Sequence, residues 1–132
     1  MINNEVEIIV KKSRFVSYYF EINNKNQVQE IINNLKQEHK KARHICYAFT
    51  TSNNGVLNAG MNNDGEPKGT AGKPILELIN LKKVSNILVV VVRYFGGILL
   101  GAGGLIRAYR TSASEAINLY LLKRSEDEIS KK

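Results

Sequence analysis

The sequence predicts a two-layer α/β (α+β) sandwich in which helices pack on one face of a mixed sheet. Strand-like and helix-like segments follow one another in the order β-β-α-β-β-α-β-α, which is typical of a sheet covered by helices. The uninterrupted apolar run Ile87–Val92 is typical of a strand that is buried on both faces. A length of 132 residues suits one domain with a single core.

The first third of the chain predicts two strands and a helix. Glu5–Val10 alternates loosely between apolar and polar residues, and Arg14–Ile22 is rich in aromatic and β-branched residues. Asn23–Asn26 has the composition of a turn that can supply a helix cap. An amphipathic helix follows, because four apolar residues recur there on one helical face: Val28, Ile31, Ile32 and Leu35.

A β-hairpin is predicted next. His44–Thr51 and Val56–Met61 are the two strands, and Ser52–Gly55 is the turn between them. The Asn-Gly pair inside this turn suits the positive φ angles of a tight hairpin. Asn62–Gly72 is dense in glycine and polar residues, so we expect a loop there.

The remaining segments predict a helix, a strand and a final helix. Thr70 is expected to cap a helix over residues 71–81, with Pro74 in the first turn, where its missing N–H costs nothing. The buried strand covers residues 86–95, and the last helix opens at Gly101–Gly104. We expect a single core domain over residues 1–123 and a charged tail, 124–132, that frays.

The charge of the chain favours an anionic partner. There are 19 Lys and Arg residues against 12 Asp and Glu residues, which gives a formal net charge of +7. Net charge bears on association and solubility rather than on fold. Part of the excess lies in residues 36–43, at the end of the first predicted helix, where cations also complement the helix dipole.

Several classes of protein are excluded or disfavoured. A membrane span needs about 20 apolar residues, and the longest apolar run here is Ile87–Val92. The segment Met1–Glu5 lacks the features of a signal peptide, so we expect a cytoplasmic protein without membrane contact. The single cysteine, Cys46, excludes an internal disulfide and a cysteine metal cluster. We predict no metal site and no cofactor.

The glycine-rich segment Gly65–Pro74 has some features of a phosphate-binding loop. A P-loop requires Gly, four residues, and then Gly-Lys-Ser/Thr. Here Pro74 follows Gly72-Lys73, and Pro67 occupies the position of the first glycine, so a nucleotide-hydrolysing P-loop is excluded. Two interpretations remain open: an anion site at a helix N-terminus, or a capped turn between strand and helix.

A second glycine-rich segment, Gly101–Arg107, follows the buried strand where a dinucleotide-binding fingerprint would lie. That fingerprint requires a glycine at the position of Ile106, so nicotinamide cofactor binding is excluded. Arg93, Arg107 and Arg110 flank the segment. A strand end, a glycine-rich loop, a helix N-terminus and nearby arginines together predict an anion site.

Four side chains could carry chemistry, although each also has a structural interpretation. His44 and Cys46 share one face of a predicted strand, but nothing in the sequence orients them as a nucleophile pair, and a lone cysteine is typically a small buried residue. Asp64 and Glu66 suit acid–base work or weak magnesium binding, and equally turn capping and pairing with lysines. His44, Asp64 and Glu66 are therefore weak catalytic candidates, and we assign no catalytic residue.

Two long motifs, Asp64–Ile75 and Val91–Tyr109, resemble those of the IMPACT/YigZ family. Lys12–Phe15 and Ala42–His44 match it too, and the resemblance covers Lys12–Leu122. It implies a fold like domain 2 of ribosomal protein S5. Bacterial members usually carry a second, ferredoxin-like domain, and eukaryotic members an N-terminal RWD domain that contacts a ribosome-associated activator of a stress kinase. The family implies no established catalytic residues.

Two functions are consistent with these observations. In the first, the chain is a translation-linked regulatory or accessory protein that binds the ribosome, RNA or another polyanion through basic residues beside the glycine-rich loops. A protein of the translation machinery is a further candidate partner. In the second, it is a small enzyme or a nucleotide- or phosphate-binding protein with a pocket between loops 64–74 and 93–107. The candidate anion-binding residues are Arg14, Arg43, His44, Lys68, Gly69, Thr70, Gly72, Lys73, Arg93, Gly101, Gly103, Gly104 and Arg107.

Overall fold

Residues 3–130 are described by a computed structural model. The elements appear in the predicted order, which confirms the α/β class. They are β1 (Glu5–Val10), β2 (Ser13–Glu21), α1 (Asn26–Glu38), β3 (His44–Asn53), β4 (Val56–Asn62), α2 (Gly72–Leu81), β5 (Ile87–Tyr94) and α3 (Gly101–Ser130).

The sheet is antiparallel throughout, in the order β1-β2-β5-β3-β4, and not mixed as the sequence predicts. Helix α1 connects β2 to β3, a crossover that normally joins parallel neighbours. These two strands do run parallel to each other, but β5 lies between them and pairs antiparallel with both. The same holds for β4 and β5, which are joined by α2 and separated by β3.

Helices cover both faces of the sheet, so the predicted placement on one face is wrong. Along β5, Val89 and Val91 pack with α2 and α3, whereas Leu88, Val90 and Val92 pack with α1. Successive side chains of a strand point to opposite faces. A strand that is apolar at every position must therefore be covered on both sides, and α1 supplies the second cover.

Helix α3 continues to Ser130, past the expected domain boundary at Lys123. From Arg124 to Ser130 its side chains are exposed. This segment is therefore helical but lies outside the packed core, and the boundary at residue 123 stays a prediction. Within residues 3–130, no helix has both the length and the apolar character that a membrane crossing requires.

Candidate functional site

An open pocket of about 420 Å³ lies where β3 begins, β5 ends and α3 starts. Parts of both glycine-rich loops meet in it, as the pocket interpretation of the sequence predicts. The residues that line it are Arg43, His44, Gly65, Glu66, Pro67, Arg93, Phe95, Leu99, Leu100, Gly101, Ala102 and Leu105.

The polar floor of this pocket is a buried ion pair. Arg93 Nη1 donates to both carboxylate oxygens of Glu66, at 2.8 Å to Oε2 and 3.1 Å to Oε1. The Tyr109 hydroxyl also donates to Oε2. The side chains of Glu66 and Arg93 are only 3% and 6% exposed. The two charges compensate each other, so the floor contributes little net charge to the pocket.

His44 contacts the floor from the start of β3. Its Nδ1 lies 2.7 Å from the carbonyl oxygen of Asp64, and because a carbonyl can only accept, Nδ1 carries the proton. Nε2 lies 3.5 Å from Glu66 Oε1. The Asp64 carboxylate accepts the backbone N–H of Ile45 at 2.7 Å. The structure thus brings the three acid–base candidates together. The Asp64 carboxylate, however, is hydrogen-bonded to the backbone of β3 and does not line the pocket.

Cys46 is completely buried behind this floor. Its thiol donates to the carbonyl oxygen of Asn63 at 3.1 Å and lies 3.5 Å from the Tyr109 hydroxyl. Burial raises the pKa of the Cys46 thiol to about 12, and burial also raises the pKa of Tyr109 above its usual value. Cys46 is therefore a neutral thiol in the core, and it is not the nucleophile of a His44 pair.

Cys46 should react with iodoacetamide at pH 8 on the order of 100- to 1,000-fold more slowly in the native protein than in denaturant, because only the thiolate attacks. The raised pKa of the Cys46 thiol also makes the stability of the fold depend on pH. The thiol has an ordinary pKa of 9.0 in the unfolded chain and a pKa of about 12 in the fold. Its contribution to the free energy of unfolding is therefore fully present below pH 9 and is lost as the pH rises towards 12. Alkylation followed by mass spectrometry measures the first effect.

The matched control is Cys46→Ala, which has no thiol to ionise. The difference in unfolding free energy between the native protein and this variant should shrink between pH 8 and pH 11. An equal alkylation rate in the native and denatured states would contradict the assignment of Cys46 as a buried neutral thiol.

At the amino end of α2, a side chain of the protein already accepts a hydrogen bond from the backbone. The N–H of Gly72 donates to Asn63 Oδ1 at 2.7 Å. Thr70 does not cap the helix, contrary to the prediction from sequence, because its hydroxyl donates to the carbonyl oxygen of Pro67 at 2.6 Å. A Cβ on Gly72 would lie 3.1 Å from Met61 Cβ, so this glycine permits close helix–strand packing. The candidates in this segment, Lys68, Gly69, Thr70, Gly72 and Lys73, do not line the pocket.

The amino end of α3, by contrast, opens onto the pocket through Gly101 and Ala102. Gly101 has φ of 73°, a left-handed conformation that favours glycine where the helix begins. Gly103 and Gly104 belong to the same first turn but do not line the pocket.

The remaining predicted arginines lie in three different places, and only one of these is at the pocket. The guanidinium of Arg43 lies 5.2 Å from the centre of the Phe95 ring, at the pocket mouth. Arg14 pairs with Glu7 on the outer strands, outside the pocket. Arg107 and Gly104 line a separate cavity of about 250 Å³. Of the predicted cations, the structure brings Arg43 and Arg93 to the pocket.

Phe95, Leu99 and Tyr109 belong to the site although none of them is among the residues predicted for it. Leu99 is 82% exposed, and together with Phe95 it forms an apolar rim. The signal that could have found Leu99 is the apolar stretch 98–100, which lies in a loop between Gly97 and Gly101. Nothing in the sequence near Tyr109 indicates its bond to Glu66, since the same position also fits the apolar face of α3.

Metal ligands do not cluster in the part of the chain that the structure describes. No group of three or more His, Cys, Asp or Glu side chains in residues 3–130 is arranged to hold a metal ion. The polar groups of the pocket suit hydrogen bonding and anion binding.

Comparison with known proteins identifies the family. Residues 11–117 match the family model described as the Impact N-terminal domain. The chain is 45% identical over 114 residues to the IMPACT family member YvyE of Bacillus subtilis (strain 168), covering 86% of this chain and 52% of the relative. It is 38% identical over 116 residues to YigZ of Escherichia coli (strain K12), covering 87% of this chain and 57% of the relative.

Two solved structures share the fold. A crystal structure described as that of a hypothetical protein matches with a TM-score of 0.82 and 38% identity, over 87% of this chain and 56% of that chain. The structure of the two-domain translational regulator Yih1 matches with a TM-score of 0.53 and 24% identity, over 86% of this chain and 45% of that chain, which supports the fold alone. The chain spans about half the length of the curated relatives it matches. With a family model that covers most of its residues and relatives of this similarity, the chain belongs to the Impact N-terminal domain family.

Proposed function

We propose that this chain is a translation-linked regulatory protein that binds RNA, the ribosome or another polyanion through the mouth of the pocket. Family membership supports a role in translation, since the family resemblance implies contact with the translation machinery. Yih1, which shares the fold, is described as a translational regulator. The proposal concerns the core that the family shares, because the matched part makes up only 52% and 57% of the two relatives.

The observation that carries the proposal is the position of Arg43. Its side chain is exposed, and no carboxylate among residues 3–130 forms an ion pair with it. It lies at the mouth of the pocket, to which the amino end of α3 contributes a partial positive charge. Because Glu66 and Arg93 neutralise each other on the floor, Arg43 and the helix end determine the charge that an approaching polyanion meets.

A second candidate function, an enzymatic or small-ligand pocket, is favoured by the 3.5 Å distance between His44 Nε2 and Glu66 Oε1. General acid–base chemistry needs groups within hydrogen-bond reach of each other and of the substrate. The Glu66 carboxylate, however, already accepts from Arg93 and Tyr109. This arrangement leaves the carboxylate little capacity for proton transfer, so we retain polyanion binding as the proposed function.

Single-stranded RNA and purified ribosomes should bind the chain with an affinity that falls steeply with salt, because neutralised phosphates release counterions. Arg43→Ala should weaken RNA binding by about 3- to 10-fold at low salt and reduce the slope of log affinity against log salt by about 0.7 to 1. Filter binding and ribosome co-sedimentation over a salt series measure both effects.

Lys25→Ala is the matched control, because it removes the same charge at the start of α1, away from the pocket. It should change RNA affinity much less than Arg43→Ala. The proposal fails if no salt-sensitive affinity appears at low ionic strength. An equal loss in both variants would contradict the pocket mouth as the binding surface.

A further inference from the structure

The outer strand β4 belongs to the longest stretch of the chain without a charged residue. Residues 44–63 include no Asp, Glu, Lys or Arg, although these residues make up 23% of the sequence. The stretch forms β3 and β4. Strand β3 lies inside the sheet, where a lack of charge is expected, but β4 is an edge strand. Edge strands normally carry charged residues that prevent another strand from pairing with them.

The side chains that β4 exposes include three large apolar ones. Leu57, Val56 and Met61 are 76%, 60% and 53% exposed, and Ala59 is exposed as well. Within residues 3–130, no backbone hydrogen bond joins β4 to any segment other than β3. The N–H and C=O groups on the outer side of β4 are therefore available to another strand.

The opposite edge of the sheet is protected by charge. Strand β1 carries Glu5 and Glu7, both exposed, and Glu7 forms an ion pair with Arg14 of β2. Strand β4 has neither a charged residue nor a proline in Val56–Asn62. Of the two edges of this sheet, β4 alone therefore lacks the usual barriers to strand pairing.

The β4 strand of a second copy of the chain matches this edge. In an antiparallel pair centred on Ala59, that residue faces Ala59 of the second copy, and Leu57 faces Met61 of the second copy. These three residues alternate along β4, so they lie on one face and their side chains shield one another from water. A chain with a net charge of +7 repels its own copies, and this repulsion is weakest along an uncharged edge.

A two-fold arrangement also gives a closed assembly. If β4 paired with β1 of a second copy, an unpaired β4 edge would remain at one end and further copies could add to it as an open filament. When β4 pairs with β4, both copies use the same surface, and the edges that remain are the two charged β1 strands. The arrangement of charge on the two edges therefore favours a dimer.

We propose that the chain forms a two-fold dimer in which β4 pairs antiparallel with β4 of a second copy, so that one continuous sheet runs through both copies. The 7 residues of β4 extend over ~24 Å, and so short an interface is typical of a weak dimer. None of the residues of β4 lines the pocket. The inference therefore goes beyond the proposed function and does not depend on it.

Sedimentation equilibrium over a concentration series up to about 1 mM tests the dimer, because this range covers weak dissociation constants. The native chain should shift from monomer to dimer as its concentration rises. Ala59→Glu and Ala59→Lys each place like charges opposite each other at the two-fold axis, so each should raise the dissociation constant at least about 10-fold. Ile9→Glu is the matched control, because Ile9 is 62% exposed on the other edge strand, β1, and this variant should dimerise as the native chain does.

An equimolar mixture of Ala59→Glu and Ala59→Lys tests the register of the two strands. Opposite charges meet at the axis in this mixture, so a heterodimer should form at least about 10-fold more tightly than either variant forms a homodimer, and salt should weaken it. Heterodimer formation also shows that both variants are folded, because an unfolded chain has no β4 edge. Circular dichroism of each variant checks the fold separately.

Three results would overturn the inference. A single monomeric species up to about 1 mM would exclude the dimer and would assign the β4 edge to a strand of a different protein. Loss of the dimer in Ile9→Glu, but not in the Ala59 variants, would place the interface on β1. A mixture of the two Ala59 variants that stays monomeric, although both are folded, would contradict the pairing centred on Ala59. RNA binding and its dependence on Arg43 are measured separately, so the proposed function can stand or fail without the dimer.

Discussion

Replacing Glu66 with leucine should lower the free energy of unfolding by about 3–5 kcal/mol, the usual result of removing one member of a buried ion pair. The guanidinium of Arg93 would remain in a site where it is only 6% exposed, without its counter-charge. The Tyr109 hydroxyl would lose its acceptor as well. Urea unfolding at pH 7, followed by circular dichroism, measures the change.

Two control variants distinguish the effect of the lost charge on stability from the effect of altered packing. Glu66→Gln retains the shape and one acceptor oxygen, so it should cost less than Glu66→Leu. The double variant Glu66→Leu/Arg93→Met removes both charges, and it should recover most of the lost stability because no uncompensated charge stays buried. If Glu66→Leu cost less than about 1 kcal/mol, the pair would be a solvated contact and not a buried one.

Gly96→Ala should destabilise the fold by on the order of 3 kcal/mol or more, which is at the upper end of the effects of overpacking. A Cβ at this position would lie 2.0 Å from the carbonyl oxygen of Lys12 and 2.6 Å from the backbone nitrogen of Ser13. These are backbone atoms at the start of β2, so they cannot rotate away as a side chain would. The N–H of Gly96 also donates to Ser13 Oγ, which lies beside Arg93 on the pocket floor.

Gly103→Ala is the matched control for Gly96→Ala. A Cβ at Gly103 would meet nothing within 4 Å, and the residue lies in the first turn of α3. Alanine should therefore stabilise the protein by up to about 0.5–1 kcal/mol, because it loses less backbone entropy in a helix than glycine does. Similar melting temperatures for the two variants would contradict the close approach of Gly96 to β2.

Local patterns predicted the elements well, because each depends on residues close in sequence. The helical spacing of Val28, Ile32 and Leu35 requires one buried face, and these three side chains are the buried ones of α1. The Asn-Gly pair at 54–55 adopts positive φ at both residues, as a tight hairpin requires. Thr70 is the exception, since a hydroxyl before a helix can bond to a loop carbonyl as readily as to the helix.

The element order, the family, the two glycine-rich segments and the need to bury β5 on both faces follow from the amino-acid sequence. The position of β5 between β2 and β3 is evident only in the fold, because strand pairing across a sheet depends on contacts between distant segments. The fold also brings the residues of the site together. Glu66 is 27 positions from Arg93 and 43 from Tyr109. No local pattern indicates these contacts between distant residues, so the sequence predicts each charged residue as a candidate. Only the fold shows that Glu66 and Arg93 neutralise each other, whereas Arg43 forms no ion pair within residues 3–130.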